Sequence, residues 1–411
     1  MAYVAVKGGR EAVAESIKLL EKHRAAGPAA LDPAALKNRM SFLIDRIMGE
    51  AGFYAPAYAV LALIQSAGSP EEAVFLLRAY RSTLARSYLS LPLDGADMTI
   101  HRRVSAAFKD IPGGQFLGAA FDYTHRLLNF DLLNPESAES GDQAAAGEPA
   151  EGESPAGEAA PGPIHARRVS EELRREGLIS AEMDESEPWD ITEDPLSFPA
   201  PRSARLQTLA RSDTGYISGL AYAAIRGFGS GHPTVGELRT GTLEVTIPHP
   251  LVEGECLFVG DLMVTEVESL FSGEDQNTGG EAEKDPLKIL SSGQGDRADH
   301  SRNALSIAAG YGLVFGRNDT KAIAMSILDY SLDKAAICNT SSNTSPSAVS
   351  SSGSENGGLS VLGNQEFVLL HGDALEMNGF ISHLKLPHYV TFQSKLDRVR
   401  HTHKKADHDR L

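Results

Sequence analysis

Hydrophobic residues recur at helical spacing in the first third of the chain. One predicted helix spans residues 12–25. A second begins after Ser69, because this serine can cap a helix and is followed by a proline and two glutamates. The pattern predicts that residues 1–133 are mostly helical. The apolar positions of the second helix, which we expect in the core, are Ala73, Leu77, Tyr80, Leu84 and Tyr88.

The pattern changes in the second half of the chain. Helical spacing continues near residues 204–210 and 216–225, and it returns over 319–332. Apolar and β-branched runs bounded by glycine predict strands at residues 242–247, 257–271, 310–316 and 367–370. We therefore predict an α+β fold, with a helix-rich N-terminal region followed by a mixed α/β C-terminal region whose strands are antiparallel or mixed.

Three segments have the composition of flexible insertions. Residues 134–163 carry seven acidic residues and no lysine or arginine, so they bury too little apolar area to offset their ordering entropy. Residues 272–303 are polar and glycine-rich, and 339–360 are rich in serine, asparagine and glycine. The predicted division is a helical domain (1–133), an acidic linker (134–165) and a mixed domain (166–411) that contains the insertions 272–303 and 339–360.

Composition argues against several classes of protein. The chain has 411 residues and a formal net charge of −17, which disfavours general binding to nucleic acid, because the phosphates would be repelled. It has no run of about 18 apolar residues, the length that a membrane helix needs. Its two cysteines are too few for a disulfide framework. We expect a cytoplasmic protein that binds neither membranes nor nucleic acid.

Positive charge is nevertheless concentrated in residues 76–126. This stretch has seven basic and four acidic residues, a local excess of three positive charges. Two interpretations remain open, a site for a small polyanion such as a nucleoside triphosphate and a set of solvated helix faces. The basic residues are Arg78, Arg81, Arg86, Arg102, Arg103, Lys109 and Arg126.

Six motifs follow one another along nearly the whole chain. They occupy residues 3–9, 75–81, 109–115, 121–128, 310–316 and 382–390. Together they resemble the PhnI family, subunit I of the carbon–phosphorus (C–P) lyase core complex. The chain departs from the family pattern chiefly in its three low-complexity segments.

The resemblance implies a subunit that works with subunits G, H, J and L. With G, H and L it is implied to displace adenine from ATP by methylphosphonate, which gives ribose 1-methylphosphonate 5-triphosphate. Alone, it is implied to hydrolyse the N-glycosidic bond of ATP or GTP. The chain has no cysteine cluster for iron–sulfur chemistry, which is implied to belong to subunit J. The alternative is a non-catalytic architectural subunit that completes a zinc or substrate site at the interface with J.

The motif at residues 121–128 supplies candidate catalytic residues. Cleavage of a nucleoside bond needs negative charge near a cation-like sugar carbon and a proton donor for the purine. Asp122 and His125 are three residues apart and would share a face of a helix. Asp122 could then stabilise charge, and His125 could transfer a proton. The alternative is that Asp122 caps a helix and His125 is a partly buried structural residue.

The predicted phosphate-binding residues lie in the same basic stretch. Gly113 and Gly114 follow a proline and predict a tight turn. The N–H groups of this turn could form an anion-binding nest, although such a sequence is also a common turn. The predicted substrate-binding set is Lys109, Gly113, Gly114, Arg126, Arg78 and Arg81.

His383 and His388 are the candidate metal ligands. They converge only if the chain turns between them, and Pro387 favours a turn. Two imidazoles leave a zinc site incomplete, so further ligands must come from His371 or Asp373, from a partner subunit or from the substrate. The resemblance implies that this pair is a zinc site at the contact with subunit J.

Overall fold

The computed structural model describes residues 9–25, 31–130, 166–179, 187–228, 232–272, 307–341, 361–385 and 389–408. Within these ranges the fold is α+β, as predicted, with helices towards the N-terminus and an antiparallel sheet mainly in the second half. The low-complexity segments 134–163, 272–303 and 339–360 lie almost wholly outside the described residues. Their predicted flexibility and the predicted domain boundaries stay predictions.

Short helices form the N-terminal part of the described chain. They are α1 (Gly9–Arg24), α2 (Pro33–Arg39), α3 (Ser41–Ala51), α4 (Pro56–Gln65) and α5 (Pro70–Arg81). α3 ends at Gly52, which adopts a left-handed φ of 60° and closes the last turn through its N–H. α5 begins as predicted, because Ser69 accepts a hydrogen bond from the N–H of Glu72.

An antiparallel sheet forms the centre of the described chain. Its strands are β1 (Thr99–Val104), β2 (Thr234–Pro248), β3 (Cys256–Ser272) and β4 (Ile307–Phe315). Their order across the sheet follows the chain, β1-β2-β3-β4, and β2 and β3 form a long hairpin. The strands predicted at residues 242–247, 257–271 and 310–316 are therefore confirmed.

Further helices surround the sheet. They are α6 (Val169–Arg175), α7 (Arg202–Arg211), α8 (Thr214–Ala223), α9 (Asp319–Ser341), α10 (Gln365–Leu370), α11 (Ala374–Ser382) and α12 (Tyr389–His408). The helices predicted near residues 204–210, 216–225 and 319–332 are confirmed as α7, α8 and α9. The long helix α9 contacts β3, β4 and α8.

One strand was not predicted, and one predicted strand is wrong. β1 lies in the region predicted to be mostly helical. Its central residues Arg102 and Arg103 are buried and form ion pairs. The strand therefore lacks the apolar run that would have predicted it. Residues 367–370, predicted as a strand, belong to α10, because Asn364 accepts a hydrogen bond from the N–H of Phe367 and caps a helix there.

Two hydrophobic clusters account for most of the buried apolar side chains described. On one face of the sheet, Leu238, Val267 and Val314 cluster with Met325 and Leu328 of α9. Each such side chain contributes about 1.5–3 kcal/mol when fully buried. The second cluster joins α3, α4 and α5, and its large members are Ile44, Ile47, Met48, Val60, Leu63, Val74 and Leu77.

The core predicted for α5 is only partly correct. Ala73 and Leu77 are buried, as expected. Tyr80, Leu84 and Tyr88 are 40–59% exposed, so their prediction as core is wrong. The reason is that α5 ends before the last two of these residues, and the helical spacing therefore does not continue to them.

The second face of the sheet carries a group of buried charges beside a smaller apolar cluster formed by Met98, Leu243 and Val264. Arg103 on β1 donates to Glu237 on β2 at 2.5 Å, and Glu266 on β3 accepts hydrogen bonds from Arg239 and Arg168. The backbone covers this face, because Arg103 and Arg239 also donate to the carbonyls of Gly95, Pro112, Ala166 and Arg167.

None of the described helices alone has the length and apolar character needed to cross a membrane. α3 and α4 reach that length only as a pair bent by 98°.

Candidate functional site

The side chain of Arg102, on β1, binds the segment that carries Asp122. Its guanidinium donates to Asp122 Oδ2 at 2.6 Å and to Asp319 Oδ2 at 3.2 Å, and it also donates to the carbonyl of Leu117. Burial raises the pKa of Asp319, Arg102 opposes this shift, and the Asp122 carboxylate adds to it. The segment 116–126 is therefore fixed between β1 and the first turn of α9.

Asp122 and His125 are not placed as an α-helix would place them. Asp122 lies in a single 3₁₀ turn (Phe121–Tyr123), and the chain is extended again at Thr124. The residue at the N-cap of that turn is Ala120, so Asp122 is not a helix cap either. The structure therefore contradicts the prediction that Asp122 and His125 share a helix face, and it also contradicts the alternative in which Asp122 caps a helix.

The side chains of His125 and Arg126 face solvent. His125 is exposed and makes no hydrogen bond or ion pair within the part of the chain that the structure describes. Arg126 has a left-handed φ of 52°, and its guanidinium lies 3.5 Å from Asp122 Oδ1. The structure thus places Asp122 between a buried arginine, Arg102, and an exposed one.

The turn at Gly113 and Gly114 faces a buried arginine. The carbonyls of Pro112 and Gly114 accept hydrogen bonds from Arg103 Nη1 at 2.5 and 3.4 Å, and the N–H of Gly114 donates to the carbonyl of Ile111. Both glycines have positive φ, 87° and 78°, as a tight turn requires. An anion nest stays a prediction, and it would rely on the N–H of Gly113.

Lys109 precedes this turn and is exposed. The backbone carbonyl of Lys109 accepts a hydrogen bond from the Gln115 side chain at 3.0 Å, which fixes the base of the turn. Its ammonium group is thus carried on a defined backbone and faces solvent, as a phosphate-binding group must.

Arg78 and Arg81 belong to α5, and their side chains reach the C-terminal end of α3. Arg78 donates to the carbonyl of Glu50 at 2.7 Å and to Asp373 Oδ2 at 2.5 Å. Arg81 donates to the carbonyls of Ala51 and Gly52 at 2.9 and 3.0 Å. These bonds satisfy helix carbonyls that have no partner within the helix.

The structure separates Arg78 and Arg81 from Asp122. Phe121, beside Asp122, contacts Phe42 at the start of α3, with 5.0 Å between ring centroids. The two arginines bind carbonyls at the other end of this helix. With a rise of 1.5 Å per residue, the two contacts lie about 15 Å apart. The predicted substrate-binding residues therefore do not converge on one point.

Among the candidate metal ligands, His383 is described and His388 lies outside the described residues. His383 Nδ1 is hydrogen-bonded to the carbonyl of Phe380, so in this tautomer Nε2 carries the lone pair. Of the further ligands considered, Asp373 caps α11 and pairs with Arg78, and His371 Nδ1 lies 2.9 Å from a backbone carbonyl. The described residues contain no group of three or more metal-binding side chains.

The sequence analysis missed two charged residues near the start of α9. Asp319 shares Arg102 with Asp122, and Lys321 is 1% exposed with no hydrogen-bond acceptor for Nζ in the described chain. Burial lowers the pKa of Lys321 to about 8, although the Glu50 carboxylate opposes this shift. The polar turn after β4, Gly-Arg-Asn-Asp, was the signal available in the sequence.

Comparison with known proteins identifies the family. The family model for PhnI, a bacterial phosphonate metabolism protein, matches residues 2–406. The chain belongs to the PhnI family. The putative C-P lyase subunit protein HtxH of Stutzerimonas stutzeri is 39% identical to this PhnI-family chain over 413 residues, which cover 99% of the chain and 97% of HtxH.

Two further relatives carry the name alpha-D-ribose 1-methylphosphonate 5-triphosphate synthase subunit PhnI. The Rhizobium meliloti protein is 38% identical over 412 residues, which cover 98% of this chain and 96% of that protein. The Escherichia coli protein is 38% identical over 416 residues, which cover 99% of each.

Two of the motifs that resemble the PhnI family meet at β1, and the residues that follow a third motif reach the same arginine. Residues 109–115 form the turn that faces Arg103, and residues 121–128 carry Asp122, which binds Arg102. Residues 310–316 form most of β4 and lead into α9, where Asp319 binds Arg102. This convergence makes the surface around Arg102 the candidate functional site.

Proposed function

We propose that the chain is the PhnI subunit of an alpha-D-ribose 1-methylphosphonate 5-triphosphate synthase, in a C–P lyase system of the cytoplasm. The observation that carries this proposal is the alignment with two relatives of that name, at 38% identity over at least 98% of this chain and 96% of theirs. A match of this extent leaves no large domain of either relative without a counterpart.

The proposed reaction is a displacement at the ribose of ATP. An oxygen of methylphosphonate forms a bond to C1′, the bond from C1′ to N9 of adenine breaks, and the departing adenine takes up a proton. We assign this reaction to the chain with partner subunits G, H and L. For the chain alone we propose hydrolysis of the same bond in ATP or GTP, with water in place of the phosphonate.

Asp122 and His125 are the proposed catalytic pair. Arg102 holds the Asp122 carboxylate at 2.6 Å, so Arg102 is a positioning residue. Negative charge near C1′ stabilises a cation-like transition state. His125 is exposed on the extended segment that follows and is free to approach a bound purine as its proton donor.

Lys109 and Arg126 are proposed to bind the triphosphate on this surface, with the N–H of Gly113 beside them. Both cations are exposed; the Lys109 carbonyl is held by the Gln115 side chain, and the Arg126 guanidinium lies beside the Asp122 carboxylate. Charge-assisted hydrogen bonds to phosphate contribute about 1.5–3 kcal/mol each. Two such bonds are enough to orient the substrate.

Zinc is proposed to bind His383 and His388 at the contact with subunit J. The hydrogen bond between His383 Nδ1 and a backbone carbonyl is the arrangement typical of a histidine that binds metal through Nε2. Bound zinc would supply Lewis acidity. This chain would supply two imidazole ligands, and the remaining ligands would come from the partner or the substrate.

A second candidate function is supported by a specific observation. Asp122 is already compensated by Arg102 and Arg126, at 2.6 and 3.5 Å, which weakens its effect on a developing cation. A non-catalytic architectural subunit would have the same ion pairs. Under that alternative the chain would position partner subunits and complete their zinc or substrate site.

Complementation tests the proposed role in phosphonate use. A bacterium that lacks only its PhnI subunit should regain growth on methylphosphonate as sole phosphorus source when it expresses this chain. Asp122→Asn and His125→Ala should abolish that growth, whereas His403→Ala, an exposed histidine of α12, should not. Failure of the unmodified chain, expressed as a folded protein, would contradict the proposal.

A further inference from the structure

Two arginine side chains approach each other at the C-terminal end of α3. Arg81 Nη1 and Arg211 Nε lie 3.0 and 2.7 Å from the point where a Cβ on Gly52 would stand. The two nitrogens are therefore less than about 6 Å apart. A side chain at residue 52 would occupy the space between them, so glycine is needed here for its size and for its left-handed φ of 60°.

Neither of these two arginines has a carboxylate partner among the described residues. Arg81 donates only to the carbonyls of Ala51 and Gly52, and Arg211 makes no hydrogen bond or ion pair in the same ranges. The negative end of a helix dipole is equivalent to about half a charge. The helix end therefore compensates only part of the two positive charges.

The neighbouring arginines differ, because each has its own counter-ion. Arg78 pairs with Asp373 at 2.5 Å, and Arg86 pairs with Asp190 and Glu193, both at 2.8 Å. They add positive potential near the site, but their N–H groups already donate to these carboxylates and to other acceptors. Burial and the neighbouring arginines lower the pKa of both Arg81 and Arg211, although Asp190 partly opposes the shift of Arg211.

Asp190 does not serve as the counter-ion of Arg211. One of its oxygens accepts hydrogen bonds from the N–H and hydroxyl of Thr192, and the other accepts from Arg86. The backbone around Asp190 is fixed on α7, because the N–H groups of Trp189 and Ile191 donate to side chains of that helix. Asp190 therefore leaves the guanidinium of Arg211 without a hydrogen-bonded counter-ion among the described residues.

We propose that Arg81 and Arg211 bind one phosphate or phosphonate group of a small ligand at the C-terminal end of α3. Two guanidinium groups at this separation can donate to different oxygens of one tetrahedral oxyanion. Arginine stays charged throughout the physiological pH range, so binding needs no protonation step. Where the ligand is a nucleotide, the inference rests on the proposed function, and Arg81 and Arg211 would form a site separate from Lys109 and Arg126.

Calorimetric titration of the full-length chain with sodium tripolyphosphate tests the site. Arg211→Gln removes the charge and should weaken binding by at least about 10-fold. Arg211→Lys should weaken binding less, because the positive charge remains although the planar set of guanidinium donors is lost. Arg400→Gln is the matched control, since Arg400 is an exposed arginine of α12, and it should leave the affinity unchanged. Circular dichroism should show the same fold in all variants.

The source of the anion is resolved by titrating ATP, inorganic phosphate and methylphosphonate separately. Binding of ATP that depends on Arg211 supports the site and identifies a nucleotide ligand. Dependence limited to methylphosphonate or phosphate supports it for the smaller oxyanion. Equal affinities of the wild-type chain and Arg211→Gln for all four ligands would overturn the proposal. Arg211-dependent binding in a chain whose complex releases no adenine would retain this site and reject the proposed function.

Discussion

Arg102 Nη2 lies 2.6 Å from Asp122 Oδ2, and this ion pair fastens the segment 116–126 to the first strand of the sheet. The same guanidinium binds Asp319 at the start of α9. One buried arginine therefore joins a surface loop, a strand and a helix that are far apart in sequence. Any activity of Asp122 therefore depends on the ion pairs that Arg102 makes with Asp122 and Asp319.

Loss of the Arg102 side-chain charge should destabilise the fold more than loss of an exposed arginine. Arg102 is 8% exposed, and Arg102→Gln leaves the partly buried Asp319 without its partner. We expect the free energy of unfolding to fall by about 2–4 kcal/mol, measured by urea denaturation. Arg126→Gln removes a pair that is mostly exposed and should cost less than about 1 kcal/mol. Equal losses in both variants would contradict this account.

Lys321 should make stability depend on alkaline pH. Its pKa is lowered to about 8, whereas an unfolded lysine titrates near 10.5, so the unfolded chain binds more protons between these values. The stability of the wild-type chain should therefore gain about 3 kcal/mol relative to Lys321→Met as the pH rises from 8 to 10.5. Lys321→Met should be the more stable protein at pH 7. Denaturation curves that differ by a constant amount across this window would contradict the prediction.

Gly312 should be required for the contact between β4 and α9. A Cβ on Gly312 would overlap the backbone carbonyl of Ala322, which cannot move without shifting the helix. Gly312→Ala should therefore lower the free energy of unfolding by about 1–3 kcal/mol or more. Gly219→Ala, in α8 with open space around it, is the control and should stabilise by up to about 1 kcal/mol. A harmless Gly312→Ala would show that α9 is not tightly packed there.

The sequence allowed the regular parts of this fold to be predicted. The start of α5 follows from Ser69 and the residues after it, and β2, β3 and β4 follow from their apolar runs. The strand predicted at residues 367–370 was wrong because a short apolar run fits a strand and a buried helix equally well. The cap at Asn364 was the signal that decides between them.

The geometry of the candidate site was harder to predict from the sequence. The helix expected to bring Asp122 and His125 to one face is only a 3₁₀ turn, since the segment is held by Arg102 and not by its own helical bonds. Arg102 and Asp319 are 217 residues apart, and no local pattern predicts such a contact. Arg211 lies outside the basic stretch that suggested a polyanion site, and only the fold brings it to Arg81.

Zinc content tests the role of the histidines separately from activity. The assembled complex with subunit J should contain zinc, and His383→Ala and His388→Ala should each lower it at least 10-fold, because two ligands of one site act as a unit. The isolated chain should bind zinc weakly, since two imidazoles leave a tetrahedral site half filled by water. His403→Ala is the control for loss of an exposed histidine. Equal zinc in all complexes, measured by elemental analysis, would show that the pair does not bind metal.

The most direct test is adenine release from ATP by the purified chain together with its G, H and L partners and methylphosphonate, followed by liquid chromatography. We predict free adenine in step with ribose 1-methylphosphonate 5-triphosphate, and a rate at least about 100-fold lower for Asp122→Asn and for His125→Ala. Asp97→Asn, an exposed aspartate before β1, should retain the wild-type rate. Adenine release that is unchanged in both catalytic variants would show that this pair does not perform the chemistry, and no adenine from the assembled wild-type complex would contradict the proposed function itself.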